Sequence, residues 1–152
     1  VRSNTCIFYS MEITSKNADE TKRLGKDFGA KLKGGEVLAL SGDLGAGKTT
    51  FVQGLAEGLE ITDQIMSPTF LLMREHPVKF GGKLFHIDLY RLEKNVDQEV
   101  ENVGVKDFWT KPENVVVIEW AEKAKSALPD STIWINFENI DETTRKISIL
   151  NT

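Results

Sequence analysis

GDLGAGKT, at residues 42–49, is the segment that decides the fold of this 152-residue chain. It matches the pattern Gly-x-x-x-x-Gly-Lys-Thr and is called the phosphate loop below. An apolar run at residues 36–40 precedes it and predicts a strand that is buried on both faces. A helix is predicted from Lys48 to about Leu59. This order predicts a nucleotide site, with Lys48 on the β- and γ-phosphates and the Thr49 hydroxyl on magnesium.

Outward from the phosphate loop, the remaining sequence alternates between helical and strand patterns. The predicted elements are a helix at 18–33, strands at 69–76 and 83–90, one or two short helices within 97–110, a buried strand at 114–118, and strands at 132–138 and 144–150. The glycine pair at 81–82 predicts a hairpin, and the last two strands form an antiparallel pair. We therefore expect a single α/β domain like that of P-loop nucleotide hydrolases, with a mixed parallel and antiparallel sheet and flanking helices.

The sequence opens with Val1, and its first methionine, Met11, stands just before the first predicted element. We therefore treat residues 1–10 as a candidate N-terminal extension, upstream of a domain that spans residues 11–152.

Composition narrows the class of protein. The net charge is −4 and no run of Lys or Arg exceeds a pair, which argues against autonomous nucleic-acid binding. Cys6 is the only cysteine, so an intramolecular disulfide and a multi-cysteine metal site are excluded. The longest apolar runs are too short to span a membrane. These features predict a cytoplasmic protein, and they do not exclude RNA reached through a partner.

One acidic side chain directly follows a predicted strand, and another lies within a predicted strand. Glu119 comes directly after the strand at 114–118, and Asp88 lies in the strand at 83–90. Ligands of α/β sheets bind at the carboxyl ends of strands, so Glu119 is a candidate to serve a magnesium ion or to orient water, unless it faces solvent. Asp88, inside the predicted hairpin, is the second candidate, unless it is a cap or turn residue. Trp120 is a candidate for a nucleotide contact or a core residue, and His86 for a general base or a packed residue.

The bound nucleotide is predicted to be ATP. Ras-type GTPases recognise guanine with an Asn-Lys-x-Asp segment, and the chain has none.

Four segments, at residues 42–50, 67–70, 86–92 and 118–123, together resemble the TsaE family, also called YjeE. The family is the ATPase component of bacterial tRNA threonylcarbamoyladenosine synthesis. The resemblance implies that the chain works with TsaD, which transfers the threonylcarbamoyl group, and with TsaB, its scaffold. It further implies modification of the adenosine next to the anticodon in tRNAs that read codons beginning with A. ATP hydrolysis would reset the complex, and would be weak without the partners.

The resemblance also implies roles for individual residues. Catalysis would depend on Asp88, Glu119 and Lys48, and the metal would bind Thr49 and Glu119. The segment Ser67-Pro68-Thr69 would resemble a nucleotide-sensing switch, and the segments 14–18 and 141–145 are candidates to approach the adenine or ribose. Nucleotide contacts would fall on Asp43, Gly45, Ala46, Gly47, Lys48, Thr49, Thr50 and Trp120.

Two other functions remain open at this point. A small-molecule kinase of similar size would need an arginine-bearing lid over the phosphates, and none of the five arginines lies in a long Gly-rich segment. An interaction module that binds ATP without turnover is equally compatible with Asp88 and Glu119. The sequence shows no evident arginine finger, and Arg91, three residues after Asp88, is the nearest internal candidate.

Overall fold

The computed structural model describes residues 10–66, 72–109 and 111–151. Nine of the ten residues of the candidate extension, and the segment Ser67-Pro68-Thr69, lie outside this described part. The strands are β1 (Met11–Ser15), β2 (Val37–Gly42), β3 (Met73–Pro77), β4 (Lys83–Asp88), β5 (Val115–Glu119), β6 (Ile133–Asn139) and β7 (Arg145–Asn151). The helices are α1 (Ala18–Ala30), α2 (Lys48–Gly58), α3 (Val96–Val103), α4 (Val105–Trp109) and a 3-10 helix at Ala121–Ala127.

A single seven-stranded sheet organises the domain, in the order β1-β7-β6-β2-β5-β4-β3. The pairs β3–β4, β6–β7 and β1–β7 are antiparallel, which confirms the predicted mixed sheet, the hairpin and the terminal antiparallel pair. β6, β2, β5 and β4 run parallel to one another, so the parallel core has four strands rather than the two predicted. The hairpin strands β4 and β6 each gain a parallel partner on their other edge, which a local pattern does not encode.

The two central strands are buried on both faces, as predicted. On one face, Leu38 and Leu40 of β2 belong to a core that includes Phe51 and Leu55 of α2. On the other face, the intervening β2 residues pack into a second core with α3, α4 and the 3-10 helix. Alternate side chains of each central strand therefore anchor helices on opposite faces of the sheet, which holds the strand ends in place.

α1 differs from its prediction in its length and in its buried face. The predicted apolar face consists of Leu24, Phe28 and Leu32. Leu24 and Phe28 are only partly buried against the core, and Leu32 lies beyond the end of the helix at Ala30. The helix begins at Asn17, whose side chain accepts a hydrogen bond from the Glu20 backbone N–H at 2.9 Å, a common way to cap a helix.

Glycines form the contact between α1 and α2. A Cβ atom added at Gly54 would lie 1.9 Å from the carbonyl oxygen of Lys22, and one at Gly25 would lie 2.2 Å from that of Phe51. An added Cβ atom at Gly29 or Gly58 would lie similarly close to a backbone carbonyl oxygen of the other helix. The backbones of the two helices therefore touch directly, which a larger side chain at these positions would prevent. In the described part of the chain, none of the helices is both long and apolar enough to cross a membrane.

Candidate functional site

A cavity of about 540 Å³ opens at the carboxyl edge of the parallel strands. β2 leads into the phosphate loop there, and β4 and β5 end beside it at Asp88 and Glu119. The residues Leu44 to Thr50 line one side of the cavity. This edge is where α/β sheets bind their ligands, so the topology gives the predicted site its expected location.

The phosphate loop curls because its glycines adopt left-handed backbone conformations. Gly45 has a φ of 77° and Gly47 has a φ of 98°, values that are cheap only for glycine. Gly47 is also the N-cap of α2, and no side chain caps that helix end. The N-terminus of α2 thus faces the cavity with backbone N–H groups suited to an anion. Asp43 is exposed and does not line the cavity, although its carbonyl contributes to the loop.

Lys48 extends from the first turn of α2 back over the loop. Its ammonium group donates hydrogen bonds to the carbonyl of Gly42 and, at 3.0 Å, to the carbonyl of Asp43. It also lies 3.9 Å from the centroid of the Trp120 ring. Burial lowers the pKa of the Lys48 ammonium, and the carboxylates of Glu122 and Glu119 are the largest influences that oppose this shift. A cation is thus held over the loop, within reach of a bound phosphate.

Thr49 and Glu119 bring two hard oxygen ligands together. The Thr49 hydroxyl donates a hydrogen bond to Glu119 Oε1 at 2.8 Å. Among the described residues, no group of three or more His, Cys, Asp or Glu side chains could hold a metal ion. The pair nevertheless fits magnesium, which prefers oxygen ligands and commonly takes most of them from phosphates and water.

His86 lies on the far side of Glu119. Its Nε2 atom is 2.6 Å from Glu119 Oε2, and the His86 side chain is 0% exposed. It does not line the cavity. His86 therefore packs behind the carboxylate and has no access to substrate as a general base.

Asp88 and Trp120 complete the central part of the site. Asp88 is the register partner of Glu119 on the neighbouring parallel strand, and its carboxylate accepts a hydrogen bond from the Tyr90 N–H at 2.9 Å. Trp120 has a φ of 61°, an unfavourable conformation for a bulky side chain, and its ring lies 5.2 Å from that of Tyr90. Asp88, Tyr90 and Trp120 all line the cavity. A strained residue directly after Glu119 is a feature often found at functional sites.

The opposite end of the cavity is built from two distant segments. Asn17 and Ala18 at the start of α1 face Glu142 and Thr143 in the β6–β7 turn. These residues fall within the segments 14–18 and 141–145. The family resemblance makes both segments candidates to approach the adenine or ribose. Thr21, one turn into α1, also lines the cavity, and nothing in the sequence singled it out.

Arginine is placed differently from the expectation. Arg91 is exposed and does not line the cavity, whereas Arg145 at the start of β7 does. The Arg145 guanidinium donates to the carbonyl of Gly45 at 3.1 Å and to that of Asp141 at 2.8 Å. It thus links the β6–β7 turn to the phosphate loop. The sequence analysis included Arg145 only as the end of the candidate adenine or ribose segment 141–145, and its contact with Gly45, one hundred positions away, was not predicted.

Comparisons with known proteins identify relatives of the chain. Residues 15–147 match the family model described as threonylcarbamoyl adenosine biosynthesis protein TsaE. The chain is 39% identical over 134 residues to the tRNA threonylcarbamoyladenosine biosynthesis protein TsaE of Bacillus subtilis, covering 87% of this chain and 80% of the relative. It is 38% identical to the TsaE protein of Treponema pallidum, covering 91% and 99%.

A solved structure is similar as well. The crystal structure of Bacillus subtilis YdiB superposes with a TM-score of 0.76 at 30% sequence identity, covering 97% of this chain and 88% of YdiB. This similarity supports the α/β architecture described above, and the family model spans most of the sequence. The chain is a member of the TsaE family.

Proposed function

We propose that this protein binds ATP with magnesium and hydrolyses it in the biosynthesis of threonylcarbamoyladenosine in tRNA. One observation carries the proposal: Lys48, Thr49, Glu119 and Asp88 surround one cavity at the carboxyl edge of the parallel strands. The biosynthetic role follows from the relatives, which are tRNA threonylcarbamoyladenosine biosynthesis proteins.

Each of these residues has a distinct part in the proposed reaction. The loop N–H groups and the Lys48 ammonium bind the phosphates and balance negative charge on the γ-phosphate. Thr49 and Glu119 would hold magnesium, which would supply positive charge beside the phosphates. Asp88 is assigned to orient the attacking water, because it lines the cavity and is the register partner of Glu119 on the neighbouring strand. Trp120 and Tyr90 cover the site and limit access of bulk water.

The base end of ATP is proposed to lie between the start of α1 and the β6–β7 turn. Asn17 and Glu142 there carry polar groups that could pair with the purine or the ribose hydroxyls. The cavity of about 540 Å³ is large enough for a nucleotide of this size.

We further propose that the protein acts with TsaD- and TsaB-type proteins in the cytoplasm and reaches tRNA only through them. The net charge of −4 fits this arrangement, because direct RNA binding needs clustered cations. The Arg145 guanidinium donates hydrogen bonds to the carbonyls of Gly45 and Asp141, so it already has partners within the protein. Hydrolysis is therefore expected to be slow alone and faster in the complex, where a partner supplies charge or orders the site.

The test is release of inorganic phosphate by the purified protein, alone and with a stoichiometric TsaD–TsaB complex and tRNA. We expect stimulation by the partners in wild type and its loss in Asp88→Asn, while ATP affinity stays within about threefold. Asp27→Asn, an exposed acid on α1 away from the cavity, is the matched control and should behave as wild type. Release that ignores the partners and requires a small phosphoryl acceptor would indicate a kinase, and no release at all would indicate a binding module.

A further inference from the structure

The buried pair of His86 and Glu119 stands next to the proposed magnesium site but outside the cavity. Their side chains are 0% and 3% exposed, and the Nε2–Oε2 distance is 2.6 Å. A carboxylate removed from water is costly unless hydrogen bonds satisfy it. An ionised carboxylate can only accept, so His86 Nε2 carries the hydrogen and donates it.

Both oxygens of Glu119 are therefore held, and by different elements. Oε2 accepts from His86 on β4, and Oε1 accepts from Thr49 on α2. The carboxylate group consequently bridges β4 and α2, with one oxygen towards the metal position. Without His86, the Oε2 side would lose its donor and the side chain would be free to rotate.

The second ring nitrogen of His86, Nδ1, indicates that the ring serves to hydrogen-bond Glu119 rather than to fill space. Nδ1 is buried and has no hydrogen-bond partner among the residues that the structure describes. A histidine retained mainly for packing would be replaceable by an apolar residue such as Val117, its register partner on β5. Burial of the polar His86 ring costs free energy, and among the described residues the only hydrogen-bond partner of the ring is Glu119.

We infer that His86 is a positioning residue for magnesium. It fixes Glu119 in the orientation from which the carboxylate, together with Thr49, meets the metal of the nucleotide complex. This inference rests on the proposed function. Groups that hold metal ligands in this way usually contribute about 10- to 100-fold to metal affinity. The role needs only the hydrogen bond, so glutamine, whose amide N–H reaches a similar distance, should replace histidine.

The test compares His86→Leu and His86→Gln in ATP binding, measured by calorimetry over a series of magnesium concentrations and in excess chelator. His86→Leu should raise the magnesium concentration for half-maximal strengthening of ATP binding by about tenfold or more. Its affinity for ATP in chelator should stay within about twofold of wild type. His86→Gln should restore the magnesium response to within about threefold.

The matched control is His76→Leu. His76 is the other histidine, is also buried, and also pairs with an acid, with 3.2 Å between its Nδ1 and Asp63 Oδ2. It lies on β3 and does not line the cavity, so its loss should leave the magnesium response unchanged.

The outcomes separate the inference from the proposed function. A wild-type magnesium response in His86→Leu, even with a lowered melting temperature, would overturn the positioning role. The same holds if His86→Gln responds as poorly as His86→Leu. If His86→Leu does not fold, His86→Asn replaces it, because the shorter amide cannot reach Glu119 and should show the same defect. ATP binding by wild type that ignores magnesium altogether would instead refute the proposed function, and the inference with it.

Discussion

Lys48→Met is the substitution whose effect the structure defines best. Methionine keeps the length and flexibility of the side chain and removes only the cation. The Lys48 ammonium has partners within the protein, namely the carbonyls of Gly42 and Asp43 and the ring of Trp120. Binding of ATP must therefore exchange these contacts for phosphate oxygens, and only the difference contributes to affinity.

That difference can be estimated. Hydrogen bonds to charged groups contribute about 1.5–3 kcal/mol each, and a cation over an aromatic face about 0.5–2 kcal/mol. When ATP binds, two hydrogen bonds from Lys48 to carbonyls are replaced by two to phosphate oxygens, so the number of hydrogen bonds hardly changes. The gain in binding free energy therefore comes from the formal charge of the phosphates, and the lost contact with Trp120 reduces it. We expect a net loss of about 1.5–3 kcal/mol in Lys48→Met, or about 10- to 150-fold in the dissociation constant.

Calorimetric titration with ATP and magnesium measures this loss directly. Lys125→Met is the matched control, because its ammonium lies 5.8 Å from the ring centroid of another tryptophan, Trp134, outside the cavity. It should bind ATP as wild type does. A dissociation constant for folded Lys48→Met within about threefold of wild type would refute the placement of the phosphates at this loop.

Two further substitutions test the contact between α1 and α2 and the contact between Arg145 and the phosphate loop. Gly54→Ala should lower the free energy of unfolding by about 2 kcal/mol, because a Cβ only 1.9 Å from the Lys22 carbonyl forces α1 and α2 apart, against a gain of about 1 kcal/mol in helix propensity. A melting temperature lowered by about 4–8 °C is expected, and an unchanged or raised value would contradict the direct backbone contact. Arg145→Met should weaken ATP binding about five- to tenfold in the same calorimetric assay, because it removes the charge-assisted bond to the Gly45 carbonyl. Equal loss in Arg23→Met, an exposed arginine of α1, would show that only net charge matters.

Local patterns in the sequence were enough to predict the central elements. The apolar run before the phosphate loop, the helix after it and the strand at 114–118 all follow from short-range periodicity. Glu119 could be nominated because strand ends meet at one edge of a sheet, wherever the strands lie in the order. Asp88 was predicted inside the strand at 83–90, and the structure shows that β4 ends there. The parallel pairing of β4 and β6 with the central strands could not, since it depends on crossovers that no local pattern describes.

Two contacts could not be predicted for a different reason, namely the contact between α1 and α2 and the contact of Arg145 with the phosphate loop. Hydropathy scores large apolar side chains, so Leu24 and Phe28 suggested the packed face of α1, while the actual contact uses Gly25 and Gly29. Arg145 reaches the phosphate loop only because β7 lies beside β6, which in turn pairs with β2. Until this order of strands is known, the sequence does not show that Arg145 contacts the phosphate loop.

The glycine contact between α1 and α2 determines how the cavity can open. Helices whose backbones touch have no side-chain layer between them to compress, so α1 and α2 shift together as one stiff unit. The base-side residues at the start of α1 and the loop at the start of α2 therefore keep their spacing. The β6–β7 turn is the opposite wall, and Arg145 fastens it to Gly45 through a single hydrogen bond. If a nucleotide binds in this cavity as proposed, we expect the contact between Arg145 and Gly45 to give way during entry and exit before the contact between α1 and α2 does.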